Sequence, residues 1–370
     1  MRTAPRAPRT GVLSAGVLSA VVLSAVVLSA VVLSVGVVLG AAVPARATAM
    51  TPVAAPETPN LNLAVGGQSA LIYLPLTVAA RLGYFTDAGL KVEISDFNGG
   101  SKALQALVGG SADVVAGVYE HTLRMQSAGR HLEAFVVMAN SMQLALAVAA
   151  PQAGRIRQVA DLKGARIGVS APGSTTHLMV DRVLAGAHLD SHDVSIIGVG
   201  IGASAVSAVA SGQIDAICTP EPAVTLMQHK GLIRVLVDAR TAAGTLQVFG
   251  GAVPTSVLYA EAGFVRANPR TIQALTDAII RADRWIARAA AAEVARVVPE
   301  SFHENDTLIY IEAFEKVRDG FSADGRFLPD GAANTLRALA AFDPRIRAAA
   351  IDLPATYTDR FALDFARRQR

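Results

Sequence analysis

Residues 92–117, VEISDFNGGSKALQALVGGSADVVAG, and residues 194–219, VSIIGVGIGASAVSAVASGQIDAICT, align without a gap at an offset of 102. They share Val92/Val194, Ile94/Ile196, Gly100/Gly202, Ala103/Ala205, Ala106/Ala208, Gly110/Gly212 and Asp113/Asp215. Each copy reads as an apolar strand, a glycine-rich turn, an alanine-rich helix that ends at a glycine, and an aspartate that opens a second short apolar strand. One βαβ unit built twice predicts an α/β chain with two similar lobes and a cleft between them. Parallel α/β sheets bind ligands beyond the carboxyl ends of their strands, and the spacing puts Gly100 and Gly202 there, at helix starts.

Around the two copies the pattern extends in both directions. Leu61 to Val65 reads as a strand, Gly66-Gly67-Gln68-Ser69 as the turn after it, and Leu71 to Leu82 has helical spacing. Residues 132 to 149 supply further apolar strands. Arg166 to Ser170 and a helix from Thr175 to Gly186 precede the second copy, and Ile233 to Asp238 follows it as a strand. From Asn268-Pro269 onward the pattern changes to long helices, with Ile272, Leu275, Ile279, Ile280 and Ile286 on one stripe. The economical arrangement places residues 61–149 and 256–370 in lobe 1 and residues 150–255 in lobe 2. The chain then crosses twice, near Ala149-Ala150 and Ala252-Val253, and two crossings make a hinge.

Residues 1–47 read as an export signal and residues 48–60 as a linker. Arg2, Arg6 and Arg9 form a basic start, Gly11 to Val43 carries no charge, and Ala45-Arg46-Ala47 offers small residues to a signal peptidase, so the mature chain begins at Thr48. Uncut, the apolar run is long enough to anchor the protein in a bilayer. Removing this segment takes away four of the 33 basic residues and none of the 30 acidic ones, which turns the formal charge of +3 to about −1. The chain pI near 9.2 therefore misleads: the body has no Lys/Arg track for nucleic acid. Cys218 is the only cysteine, so no internal disulfide holds the exported chain.

Ser170-Ala171-Pro172-Gly173-Ser174-Thr175-Thr176-His177 is the most suggestive local sequence, a strand end passing through glycine into hydroxyl residues that begin a helix. Free first-turn amides, the helix dipole and the hydroxyls of Ser174, Thr175 and Thr176 suit an oxyanion, although Ser174 or Thr175 serving only as an N-cap gives the same pattern. Gly198 to Ser204 imitates a dinucleotide fingerprint, but its third glycine falls one residue early and no acid follows about 20 residues on, so no dinucleotide cofactor is expected. Glu221, before Pro222, either meets a ligand or favours a helix start. His188 and His192 lie in a polar turn without the glutamate of a zinc-protease helix, Trp285 sits on an apolar stripe, and no nucleophile elbow or Walker loop occurs. Neither a metal nor a catalytic constellation is expected.

The ordered set Leu82-Gly83-Tyr84-Phe85, Ala88-Gly89-Leu90-Lys91-Val92, Gly99-Gly100, Gly110-Ser111-Ala112-Asp113-Val114, Asp161-Leu162-Lys163-Gly164, Gly173-Ser174, Gly212-Gln213-Ile214-Asp215-Ala216 and Glu221-Pro222 resembles the nitrate/sulfonate/taurine-type substrate-binding proteins of ABC importers. The resemblance covers nearly all of residues 61 to 290. It implies a two-lobed type II periplasmic-binding-protein fold, an exported monomer that closes on a small anionic solute without a cofactor and delivers it to an ABC permease. Residue by residue it implies an oxyanion at Gly173, Ser174, Thr175 and Thr176, and cleft-facing loops at Gln68 and Ser69, at Gly100 and Ser101, and at Tyr119 and Glu120. Gly202 and Glu221 complete the expected set, with an apolar part of the ligand beside Leu71 and Tyr119. The same fold hosts enzymes, including pyrimidine-precursor synthases, whose cysteine-rich motif Cys218 alone does not supply, and menaquinone-pathway dehydratases. A solute sensor that reports to a receptor is the other open reading.

Overall fold

In the computed structural model, which describes residues 55–370, the export signal and most of the linker lie outside the described residues. The strands are β1 (Asn60–Val65), β2 (Lys91–Asp96), β3 (Val114–Val118), β4 (Leu132–Ala139), β5 (Leu144–Ala149), β6 (Arg166–Val169), β7 (Ser195–Gly198), β8 (Ala216–Pro220), β9 (Ile233–Ala239) and β10 (Ser256–Glu261). They form two five-stranded sheets ordered β2-β1-β3-β10-β4 and β7-β6-β8-β5-β9. The two orders are the same once each strand is matched to its counterpart. Three strands run parallel, and the fourth place is taken by an antiparallel strand that enters from the other lobe.

The duplicated stretches fill equivalent places in the two sheets. β2, helix Gly100–Val108 and β3 match β7, helix Ala203–Ala210 and β8. The shared aspartates do the same work: Asp113 Oδ2 accepts from the Asn62 amide in β1 at 2.8 Å, and Asp215 Oδ2 accepts from the Arg166 amide in β6 at 2.9 Å. Each pins the neighbouring parallel strand at the end away from the cleft. Gly110 and Gly212 stop their helices with φ of +76° and +72°, a left-handed turn that glycine adopts without Cβ strain.

The central strands β3 and β10 of the first sheet and β8 and β5 of the second are buried on both faces, which is why they read as apolar runs. In β5, Leu144, Leu146 and Val148 pack into one core of the second lobe, while Ala145, Ala147 and Ala149 pack into the other. This strand corrects the expected domain boundary. Leu144–Ala149 pairs antiparallel with β8 and β9 of the second sheet, so the first crossing lies at residues 140–143 instead of at Ala149-Ala150. An all-apolar strand carries no mark of which sheet it joins, and the sequence placed it with its predecessor β4. The second passage runs through residues 250–255, between helix Ala242–Phe249 and β10. The C-terminal helices cover the first sheet, with Ile272, Leu275, Ile279 and Ile280 of helix Pro269–Ile286 wholly buried against it. Among the described residues no helix is long and apolar enough to cross a membrane.

Candidate functional site

The carboxyl ends of the parallel strands in the two sheets face each other, and the lobes are shut on one another there. Ser101 N–H donates to Ser174 Oγ at 3.0 Å, Ser101 Oγ donates to the Pro172 carbonyl at 2.9 Å, and Ile201 N–H donates to Asn98 Oδ1 at 2.8 Å, all across the cleft. The Leu71 amide donates to the Glu221 carbonyl at 2.9 Å. Between these contacts lies a cavity of about 30 Å³ whose polar wall is Ser170, Ser174, Thr175 and Thr176 and whose apolar wall includes Ile72, Tyr73, Val118 and Ile201. That volume admits a water or two, so a larger solute enters only when the lobes part.

The polar wall is the start of helix Thr175–Gly186. Ser174 occupies the N-cap position, yet its hydroxyl makes no capping bond within the helix and reaches across to Ser101 instead. The first-turn amides thus keep the unsatisfied donors that every helix start has. Thr176 Oγ1 accepts from the Ser170 amide at 2.9 Å and shares a 3.0 Å bond with the Ser170 hydroxyl, which fastens the strand end to the helix. Gly173, at φ +82°, turns the chain and donates its amide to His177 Nδ1 at 3.0 Å. Thr175 Oγ1 donates to Glu120 Oε1 of the opposite lobe at 2.9 Å.

Glu120 and His121 open helix Glu120–Ser127 directly after β3, and both are buried. Burial raises the Glu120 carboxyl to about 7, against the attraction of Arg124 and the bond from Thr175. Burial holds His121 neutral, pushing it down to about 3. Its Nδ1 bonds the Tyr259 hydroxyl at 2.9 Å, and its Nε2 is buried without a partner. The ring stands at the cleft floor, its Cε1 3.5 Å from where a Cβ on Gly100 would be. His121 was not among the expected residues; its signal was only its place one residue beyond Glu120.

The structure gathers Gly100, Ser101, Glu120, Gly173, Ser174, Thr175 and Thr176 at this cleft and leaves the other five expected residues, Gln68, Ser69, Tyr119, Gly202 and Glu221, at its margin or in the cores. Tyr119 is fully buried in the core of the first lobe, bonded to Thr356 at 2.6 Å and packed edge-on to Phe327 and Tyr357, so it offers no apolar wall to a ligand. Val115, Gly117 and Tyr119 share one face of the strand by its period of two, and that face is the core. Glu221 is wholly buried, with its carboxylate held by Arg240 at 2.8 Å and by the Thr225 amide and hydroxyl at 2.9 and 2.7 Å. Gly202 faces Glu304 and Ser69 at the rim, and Gln68 donates its amide to Asp96 at 2.8 Å beside the cavity. Ser170, Ile201 and Pro220 line the cavity though they were not among the expected site residues.

A separate hollow of about 470 Å³ lies beyond Gly173, bounded by Arg124, His177, Asp181 and Arg345. Its charges are of both signs. Burial lowers His177 and raises Asp181. Among the described residues no group of three His, Cys, Asp or Glu side chains is placed to hold a metal. Cys218 is buried within β8, where burial raises its thiol far above the reactive range.

A model of the NMT1-like family matches residues 54–298. A solved structure of a protein from Bordetella bronchiseptica RB50 superposes with a TM-score of 0.83 at 46% identity, covering 85% of this chain and 99% of that one. The alkanesulfonate-binding protein SsuA from Xanthomonas axonopodis pv. citri, bound to MOPS, superposes with a TM-score of 0.63 at 21% identity over 81% of this chain and 99% of its own. The desulfurization enzyme DSZB does so with a TM-score of 0.55 at 20% identity over 84% and 99%. These last two likenesses are of fold alone, and they span a binding protein and an enzyme. The chemistry of the cleft has to discriminate between them.

Proposed function

The chain belongs to the NMT1-like family, and from that premise we propose that it is an extracytoplasmic solute-binding protein, which captures a small organic anion of sulfonate type between its lobes and delivers it to an ABC permease. The observation that carries this reading is the start of helix Thr175–Gly186. It opens into a buried interlobe cavity with its N-cap hydroxyl turned away from the helix. Amide donors and a helix dipole favour an oxyanion without a full counter-charge. The apolar wall of Ile72, Val118 and Ile201 suits a short carbon chain behind it.

The enzyme reading finds less support. Hydroxyls and apolar side chains line the cavity, and the sole cysteine sits inside a strand with its thiol protonated. Binding and no turnover is the expected behaviour. Thermal-shift and calorimetric titration of the chain from Thr48 against ethanesulfonate, nitrate, bicarbonate and aromatic acids tests this, because a ligand that binds only the folded state raises stability as RT ln(1 + [L]/Kd). A preference for inorganic cations, or conversion of any of these solutes, would refute the proposal. Loss of solute uptake on deletion of the protein, with an intact permease, tests the transport role.

A further inference from the structure

We infer that Glu120 holds the anion seat of the shut cleft, and that capture of a strong-acid anion there requires Glu120 to take up a proton from water. The inference rests on the anion-binding reading above and goes further, because it makes that binding pH-linked and assigns the linkage to one side chain.

The geometry places one carboxylate where the ligand's charge is expected. Thr175 is the first residue of the helix whose free amides would grip an oxyanion, and its hydroxyl already donates to Glu120 Oε1 at 2.9 Å from across the cleft. A sulfonate on the amides of the same turn then lies beside Glu120 in a buried pocket, where like charges are poorly screened. One of the two must be neutral, and a sulfonate keeps its charge at any physiological pH. The proton therefore goes to Glu120.

The groups around Glu120 do not relieve this. From its own helix come neutral His121 and Arg124, and the Arg124 guanidinium also faces Asp343 at 3.8 Å. From the turn Leu71–Tyr73 comes Tyr73 and from β10 comes Tyr259, both kept protonated by burial and by the nearby Glu120 charge. From the other lobe comes only the Thr175 hydroxyl. Asp96 stands beyond Tyr73 and adds negative charge. A single cation one helical turn away thus serves Glu120, Asp343 and, from the other lobe, Asp181 together. Burial already brings the Glu120 proton within reach of neutral pH, to about 7.

The direction of the effect follows. Below about pH 7 Glu120 carries the proton before the anion arrives, and affinity is independent of pH. Above it the site pays one proton per anion bound, and Kd rises about tenfold per pH unit. The test is calorimetric titration of the chain from Thr48 with ethanesulfonate in sulfonate-free buffers at pH 5.5 to 8.5, for the wild type and Glu120→Gln, with proton uptake read from buffers of different ionisation enthalpy. The amide keeps the acceptor for Thr175 and cannot ionise. The wild type is expected to weaken tenfold or more between pH 7 and 8.5 with uptake of up to one proton, while Glu120→Gln stays flat and is the tighter binder at pH 8.5.

A flat wild-type profile with measurable binding overturns the role of Glu120 and leaves the anion reading standing, as does a slope that persists in Glu120→Gln. Failure of both proteins to bind at pH 5.5 overturns the anion reading and the inference with it, whereas failure of Glu120→Gln alone overturns only the role of Glu120. A ligand-free measurement separates folding from binding. Because the folded Glu120 carboxyl lies above its ordinary 4.5, the wild type should lose stability relative to Glu120→Gln as pH rises from about 4.5, and the gap should level off above about 7. A melting-temperature gap that does not change with pH also overturns the inference.

Discussion

Ser174 shows how a single hydroxyl divides its service between a helix and a hinge. At the N-cap position it would ordinarily accept from its own helix; here it accepts from the Ser101 amide at 3.0 Å in the facing lobe. Ser174→Ala should therefore leave the lobe stable and weaken the shut form by about 1 kcal/mol, roughly fivefold in ligand Kd. Isothermal titration beside a melting curve checks this, and an unchanged Kd would move the grip elsewhere. The contrast with Tyr119 explains what could be read of the site from residues alone. Gly173-Ser174-Thr175-Thr176 was legible because a glycine followed by hydroxyls at a helix start has a local physical meaning. Tyr119 was misplaced because its loop faces the cleft while its side chain follows the strand's alternation into the core. Glu221 was ambiguous for a different reason: the arginine that claims its carboxylate is Arg240, 19 residues away, and no local pattern announces such a partner.

At the scale of the element, the pairing of Glu221 with Arg240 joins the start of helix Ala223–His229 to the end of β9. Both side chains are nearly inaccessible, with 0% and 5% exposure, and Arg240 also bonds Asp238 and Gln228. Removing one member of such a pair leaves a charge buried alone. Arg240→Met is expected to destabilise the folded chain by about 3–5 kcal/mol, whereas adding Glu221→Gln should recover much of the loss. Urea unfolding of the single and double variants decides it, and additive losses would show that the pair is not coupled. The repeated βαβ unit belongs to the same scale and was the most legible feature of the chain. Its glycines and aspartates are imposed by backbone geometry: Asp113 and Asp215 each pin a neighbouring strand, and a Cβ on Gly66 would lie 2.5 Å from Gly100 Cα, so the two loops meet backbone to backbone. β5 was illegible in the complementary sense, since six consecutive apolar residues fit either sheet.

For the whole molecule, the two lobes meet through few bonds of modest strength. The direct polar ties include Ser101 to Ser174 and to the Pro172 carbonyl, Asn98 to Ile201, Leu71 to Glu221, Glu120 to Thr175, and a His229–Glu312 pair at 2.7 Å on the surface. Each contributes on the order of 0.5–1.5 kcal/mol net, because water replaces it when the lobes part. On the proposed reading the lobes part by rotation about the two crossings, residues 140–143 and 250–255, and a ligand's preference for the shut form moves the balance toward it. Ile201 is the natural place to tip that balance. It belongs to the second lobe, packs against the core of the first, and lines the cavity opposite Gly67. Ile201→Trp should act as a wedge that leaves each lobe folded and holds the two apart. If the shut form falls to about a tenth of the population, apparent affinity falls about tenfold. Small-angle scattering should then show a larger radius of gyration than the wild type, with the melting temperature little changed. Wild-type scattering and wild-type Kd together would mean that the contact between Ile201 and the first lobe does not govern closure.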